Sequence, residues 1–180
     1  VINANNSIKV TSSNDEQSYD YVIYSNHPNE ILNIGKNLSN QQTEVLKDIK
    51  YSKNEVVLHK DSSVMPKNIK CWASWVYKKT EEDKPILSYW MNSLQDIDKK
   101  YPIFVSLNPE NYIDNNKIFN KHILEHPIFD MSARKAQKQM PSLQGVNNSF
   151  FCGAYNKYGF HEDGVVSSIE AVEKLKKIDI

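Results

Sequence analysis

Apolar residues in this chain fall into runs of different period, and the period changes along its length. Ile8-Lys9-Val10 alternates like a short strand, and the polar stretch Ser12–Ser18 after it reads as a turn. Tyr21-Val22-Ile23-Tyr24 is a compact apolar, β-branched run behind Asp20, the pattern of a buried strand. Pro28 then opens a helical stretch over Asn29–Ile34 that Gly35 closes. Ser39 is placed to cap a second helix over Asn40–Ile49, whose apolar stripe is Val45, Leu46 and Ile49.

The middle reads as sheet. Glu55–His59, Ile69–Tyr77, Ile86–Asn92 and Ile103–Leu107 are four strand candidates between polar turns, and Trp72, Trp75, Tyr77, Tyr89 and Trp90 concentrate in them. Aromatic strands at short spacing predict an antiparallel sheet. Alternation puts Trp72, Ser74 and Val76 on one face and Ala73, Trp75 and Tyr77 on the other. Such faces either line the pocket of a flat ligand or pack across strands; packing is the simpler account. Periodicity leaves Lys117–Glu125 open between strand and helix, and Ser132–Met140 reads as a helix ended by Pro141.

The last segment combines both periods. Phe150-Phe151-Cys152 is an apolar strand, followed by Gly153, a loop to Gly164, and a helix over Val165–Ile178. Val165, Val166, Ile169, Val172, Leu175 and Ile178 recur at helical spacing and predict its buried face. The layout is α/β at both ends around an antiparallel sheet, an α/β (α+β) class with no internal repeat.

Composition narrows the partners. Lys+Arg and Asp+Glu number 22 each, so net charge offers nucleic acid or an anionic membrane no attraction. The paired lysines at 78–79, 99–100 and 176–177 read as solvated turns and ends. Cys71 and Cys152 suggest neither a metal site nor a disulfide framework, and a reduced, cytoplasmic setting is the expectation. No apolar run is long enough to predict a transmembrane helix. The first residues, Val1-Ile2-Asn3-Ala4, do not resemble a signal peptide.

Candidate chemistry gathers at the end of the chain. Four of the five glycines, Gly145, Gly153, Gly159 and Gly164, lie within twenty residues, which suggests close backbone approach to a ligand. A strand–Gly–loop–helix unit aims free N–H groups and a partial positive charge at its helix start, where a pyrophosphate or the polar edge of a reduced flavin would be stabilised. An ordinary strand-to-helix connection, with Asp163 as the helix cap, accounts for the same spacing. Tyr19–Pro28, an acid before a buried strand that ends in small polar residues, is a weaker candidate of the same type. His27, His59, His122, His126 and His161 follow no metal-binding pattern, and His122 and His126 make an i, i+4 pair only on a helix. No GxGxxG, P-loop or GxSxG motif occurs.

Taken together, several segments resemble the predicted NAD/FAD-binding proteins of the flavin-containing amine oxidase superfamily. They are Tyr19–Pro28, Cys71-Trp72-Ala73-Ser74-Trp75, Tyr89–Gln95, Phe104–Pro109, His126–Asp130, Leu143-Gln144-Gly145, Phe151–Tyr155 and Gly159–Gly164. The superfamily's closing pattern, FAGE…GYxEGAxxSGxxAA, is matched by Phe151-Cys152-Gly153-Ala154 and by Phe160–Gly164, Ser168 and Ala171, with Ala154 where an acid is common. The resemblance implies FAD as cofactor. It implies that Gly153 and Ala154 lie near the ribityl–pyrophosphate portion, and that His161, Glu162, Asp163 and Gly164 lie at the flavin ring.

It further implies that residues 1–50 and 131–180 belong to an FAD-binding domain and residues 51–130 to an antiparallel-sheet substrate domain. The family's dinucleotide fingerprint precedes all these segments, so the chain is expected to be the C-terminal part of a longer protein. The implied activity is hydride transfer from an amine or lipid-like substrate to flavin, with no catalytic residue assigned. The competing expectation is a non-catalytic binding module or an inactive remnant of a flavoprotein.

Overall fold

The computed structural model describes residues 2–4, 7–36, 38–79 and 85–178. Val1 and most of the expected turn between Tyr77 and Ile86 lie outside them. The chain forms two compact units, Val1–Ser52 with Pro127–Ile180 and Lys53–His126.

The first unit opens with an antiparallel sheet of β1 (Ile2–Ala4), β2 (Ser7–Thr11) and β3 (Glu16–Tyr19) in that order. The expected turn over Ser12–Ser18 is only half turn. The Ser12 amide donates to Asp15 O at 2.8 Å, and the chain then pairs back, Thr11 opposite Glu16 and Val10 opposite Gln17. β3 reads as polar because all four of its residues are exposed. Lys9 Nζ meets Glu16 Oε1 at 2.7 Å across the pair.

β4 (Val22–Tyr24), α1 (Pro28–Ile34) and α2 (Asn40–Lys47) follow. Glu30 accepts from the His27 amide at 3.1 Å at the start of α1. Ser39 and Gln42 exchange bonds at the start of α2, where Ser39 Oγ accepts from Gln42 N at 3.1 Å and Gln42 Oε1 accepts from Ser39 N at 2.8 Å. Gln42 is fully buried because its Nε2 also donates to Val146 O at 2.9 Å.

The second unit is built on β5 (Tyr51–His59), β6 (Trp75–Lys78), β7 (Ile86–Trp90), β8 (Phe104–Leu107) and β9 (Ile118–Pro127), with the short helix α3 (Met91–Leu94) after β7. The sheet order is β6-β7-β8-β5-β9, and β6–β7, β7–β8 and β8–β5 are antiparallel. Registered rows run Val76–Ser88–Ser106–Val57 on one face and Trp75–Tyr89–Val105–Leu58 on the other. The first face covers a core of Val57, Val64, Met65, Phe104 and Ile113, joined by Trp72 and Trp90. On the second, Trp75 and Tyr77 are 59% and 64% exposed, so cross-strand core packing does not account for them.

One expectation changes here, and one open reading is resolved. Ile69–Cys71 is a 3-10 turn, capped by Asn68 Oδ1 accepting from Lys70 N at 3.0 Å, and Trp72 enters the core with its indole donating to Pro66 O at 2.8 Å. Lys117 ends a 3-10 turn and Ile118–Pro127 is strand, which spaces His122 and His126 about 13 Å apart, too far to share a metal.

The chain then returns to the first unit through α4 (Met131–Leu143), β10 (Ser149–Phe151) and α5 (His161–Lys176). α4 does not stop at Pro141. A proline this close to the helix end removes a single bond, and Lys174 Nζ donates to the Pro141 carbonyl at 2.6 Å. β10 lies parallel to β4, with Val22 opposite Ser149 and Tyr24 opposite Phe151. Ile23 is nonetheless 39% exposed, so β4 is less buried than its composition suggests.

Gln144 occupies the other edge of β10. Its Oε1 accepts from Phe151 N at 2.8 Å and its Nε2 donates to Phe151 O at 2.7 Å, so one side chain takes the place of a neighbouring strand. Phe151 and Tyr24 stack at 5.4 Å within a core that α1, α2 and α4 complete through Ile31, Leu46, Met140 and Leu143. Phe150, on the opposite face, packs with Cys152, Ala171, Tyr21 and Leu175.

α5 contradicts its apolar pattern. The residues it buries are Ser167 and Ala171, whereas Val165, Ile169 and Val172 are exposed. Small side chains face this way because the helix comes within hydrogen-bonding distance of the backbone at Gly153, just past β10, where Ser167 Oγ accepts from Gly153 N at 2.9 Å. No helix among the described residues is long and apolar enough to cross a membrane.

The strand role of Gln144 is directly testable. Gln144→Met keeps its length and removes both bonds, leaving buried backbone groups of Phe151 unpaired. Urea unfolding should show a loss of about 1–3 kcal/mol with little change in slope.

Candidate functional site

β4 and β10 run parallel, so their C-terminal ends lie side by side. Cys152 N donates to Tyr24 O at 2.9 Å just past the last registered pair. The segments that leave this end are Ser25–Pro28 and Gly153–Phe160, and the second runs directly into α5. In open α/β sheets ligands bind outside the carboxyl ends of parallel strands. The candidate site therefore lies at an end where both Tyr19–Pro28 and the glycine segment arrive.

Gly153 turns the chain here. Its φ of 152° and ψ of 160° belong to a region essentially confined to glycine. A Cβ at this position would meet the Tyr155 ring at 2.5 Å. Its N–H is already used, because it donates to Ser167 Oγ at 2.9 Å, and that hydroxyl lies 2.9 Å from Gly164 O. Ser167 thus ties the strand end to the first turns of α5. Gly145 and Gly159 also adopt positive φ, so the crowding of glycines has a conformational cause at three of its four positions.

Gly164 is different. It lies inside α5, its φ is not in the left-handed region, and the nearest heavy atom to an added Cβ would be Ala154 N at 3.8 Å. Neither conformation nor crowding among the described residues requires glycine, although glycine in a helix costs about 1 kcal/mol relative to alanine. Ser168 Oγ donates to its carbonyl at 2.8 Å.

The remaining candidates occupy the same turn. α5 starts at His161, two residues before Asp163, and Phe160 holds the cap position. Asp163 is therefore not the cap residue itself. Its carboxylate reaches back to accept from Phe160 N at 3.0 Å and Tyr158 N at 3.1 Å. Glu162 and Asp163 put negative charge into the first turn, where it interacts favourably with the helix dipole. His161 and Glu162 are exposed, and Ala154 opens the 3-10 turn Ala154–Asn156.

Three participants carry no recognisable sequence signal. Ser167 is one. Gln137 is another, its Nε2 donating to Tyr155 O at 2.9 Å and Lys157 O at 2.6 Å. Arg134, the chain's single arginine, places its guanidinium 5.0 Å from the Tyr158 ring and 5.6 Å from the Phe129 ring. Burial pushes the Tyr155 phenol strongly upward, so it stays neutral.

The second unit holds a histidine–serine arrangement that sequence reading passes over. His59, fully buried, has Nε2 2.8 Å from Ser106 Oγ, and Ser106 Oγ lies 2.6 Å from Ser88 Oγ. Its hydrogen-bond direction opposes catalysis. His59 Nδ1 accepts from the Asp61 amide at 3.1 Å, so the neutral ring carries its proton on Nε2 and donates to Ser106. A donor cannot activate a serine as nucleophile. Burial lowers the His59 pKa to about 4 despite the opposing pull of Asp61. Burial would raise Asp61, but the Asp114 and Ser63 amides and the Lys117 ammonium outweigh it and hold the carboxyl at about 2.

No protein-family model matches the chain, and no curated protein matches it in sequence. Among solved structures, a CLA-producing fatty acid isomerase from P. acnes matches with TM-score 0.61 and 11% identity, over 97% of this chain and 45% of that one. A putative protoporphyrinogen oxidase from Exiguobacterium sp. 255-15 matches with TM-score 0.56 and 6% identity, over 98% and 45%. Cyclohexylamine oxidase from Brevibacterium oxydans IH-35A matches with TM-score 0.56 and 8% identity, over 99% and 47%. The chain shares their fold. It spans less than half the length of each. At these identities the likeness establishes the mixed α/β architecture, a parallel pair together with an antiparallel sheet.

Two measurements test the local roles. Gly153→Ala should destabilise the chain by about 1 kcal/mol or more, because both the backbone region and the Tyr155 ring oppose a Cβ. His59 should impose a pH dependence. The unfolded ring takes up a proton near pH 6.5 and the folded ring only near pH 4, so the unfolded chain binds more protons between these values. Urea stability should be complete above about pH 6.5 and fall progressively toward pH 4. Replacing His59 with Gln should flatten the profile across that window.

Proposed function

We propose that this chain forms part of an FAD-dependent oxidoreductase, with the first unit contributing to the FAD site and the second to the substrate site. The observation that carries the reading is Gly164, a helical glycine that the fold does not require, at the C-terminal end of a parallel strand pair. Space beside it, bounded on the protein side by Ala154 N, suits the close approach of a flat ring to the backbone. Two of the solved structures above are named as oxidases, one of them putative, which supports the same reaction class.

FAD, when bound, supplies the hydride acceptor. This chain's residues would bind and orient it. Gly153 and Ala154 would border the ribityl–pyrophosphate portion, and His161, Glu162, Asp163 and Gly164 would border the flavin ring. The first amides of α5 have no partner within the helix and would face the ring's polar edge. The substrate reading is an amine or a lipid-like molecule. It draws on the outward aromatic face of Trp75, Tyr77 and Tyr89, which suits an apolar group, and on a neighbour that is a fatty acid isomerase.

Gly164→Ala separates a ligand-contact glycine from a purely structural one. The substitution should stabilise the FAD-free chain by up to about 1 kcal/mol, since alanine is the better helix former and its Cβ has room. In the full-length protein it should weaken FAD binding roughly tenfold or more, read from flavin absorbance and fluorescence on titration. A chain that gains stability and binds FAD unchanged would show that the ring does not lie against Gly164. Absence of any flavin spectrum from the full-length protein, even after reconstitution with FAD, would remove the oxidoreductase reading itself. Flavin binding by the full-length protein without turnover of any amine or lipid would favour the non-catalytic module.

A further inference from the structure

We propose that the cavity between α4 and α5 binds a small aromatic acid that carries a hydroxyl opposite its carboxylate. The proposal is independent of the flavin reading, because none of the residues assigned to the flavin lines this cavity. Its volume is 310 Å³, the lower end of the range of small-molecule sites and enough for one ring with a short chain. Met140, Pro141, Phe151 and Ala171 supply the apolar wall. A thioether and a proline ring are surfaces on which a flat ring packs well.

The hydrogen bonds of the wall define the inner end. Both polar atoms of Gln144 are held by Phe151. Gln137 Nε2 donates to Tyr155 O and Lys157 O, and its Oε1 accepts from Arg134 at 3.1 Å. Asn156 differs. Its Nδ2 donates to Gly153 O at 3.2 Å, but its Oδ1 is buried and accepts no hydrogen bond. Burial dominates the neighbouring Tyr155 phenol and the Asn156 amide only weakly opposes it, and the phenol oxygen likewise has no partner in hydrogen-bonding geometry. A buried carbonyl oxygen left unmet is unfavourable, and a hydroxyl donor on a ligand would satisfy it.

Charge defines the outer end. Lys174 Nζ donates to Pro141 O at 2.6 Å and has no carboxylate partner among the described residues. An ammonium has three donors, so two remain for a ligand. Glu170, the acid in the wall, is already paired with Lys157 Nζ at 2.8 Å. The complement of this end is therefore a carboxylate. Asn156 Nδ2 and Ser167 Oγ both donate to Gly153 O, each at 3.2 Å, so the inner end is level with Ser167. Lys174 lies two turns further along α5, about 10 Å of helix. A phenol and a carboxylate joined by a short chain span such a distance, and the ring between them crosses the apolar wall.

The test is methyl-labelled methionine NMR on the full-length protein, with the Met140 signal assigned from Met140→Leu. Para-hydroxyphenylpropionate should shift that signal saturably. Phenylpropionate, which lacks the hydroxyl, should bind about tenfold more weakly, and tyramine, which lacks the carboxylate, should leave the signal in place. Lys174 is exposed, so its substitution should leave the fold intact, which circular dichroism checks. Lys174→Met should weaken para-hydroxyphenylpropionate binding about tenfold or more, and Lys174→Arg should retain it. A Met140 signal unmoved by para-hydroxyphenylpropionate overturns the proposal. So does equal binding of phenylpropionate or tyramine, or a Lys174→Met protein that binds as tightly as the wild type.

Discussion

The parallel pairing of β4 with β10 is the constraint around which the first unit is arranged. Three residues from each strand are registered, Val22–Tyr24 against Ser149–Phe151. Successive side chains point to opposite faces, so Phe151 and Tyr24 serve one layer and Phe150 the other. The α1, α2 and α4 side chains close on the first layer, and α5 closes on the second through Ala171 and Leu175. A two-stranded parallel pair is too small to be stable alone. It persists here because helices cover it and because Gln144 satisfies the outer backbone groups of Phe151.

The same pairing fixes where function can reside. Parallel strands deliver their C-terminal loops to one end, and there Gly153, the Ser167 hydroxyl and the start of α5 meet within hydrogen-bonding distance. Two glycines sit in this turn for different reasons. Gly153 answers to the Tyr155 ring and to its own dihedral angles, while no close contact among the described residues requires Gly164 to be glycine. A conformational requirement and a ligand requirement look identical in a sequence. Only the position of the missing Cβ tells them apart.

Where local pattern and burial agree, the fold is legible from residues alone. The strands at Val22 and Phe151, the capping of α2 by Ser39 and the antiparallel β6-β7-β8 order follow from apolar runs and cap chemistry. The α5 face was misleading because helical periodicity identifies an apolar stripe without saying what covers it. A backbone contact at Ser167 requires small residues on the packed side instead. β3 was hidden because a strand exposed on both faces has no apolar alternation to reveal it. At the site, the glycine segment announces itself by composition, whereas Ser167, Gln137 and Arg134 become visible only once folding brings α4 and α5 to the loop.

The interruption of the first unit by residues 53–126 has a kinetic consequence. β4 must wait for β10, and closing so long a span costs chain entropy before any contact rewards it. β6, β7 and β8 are successive in sequence and adjacent in space, so their hairpins form from local contacts. During synthesis the interior unit can therefore order while the chain's first fifty residues still lack their partner strand. Ile31, Val45 and Leu46, all buried in the finished fold, stay uncovered through that interval. Aggregation and chaperone capture would act on this stretch of the nascent chain rather than on the sheet that follows it.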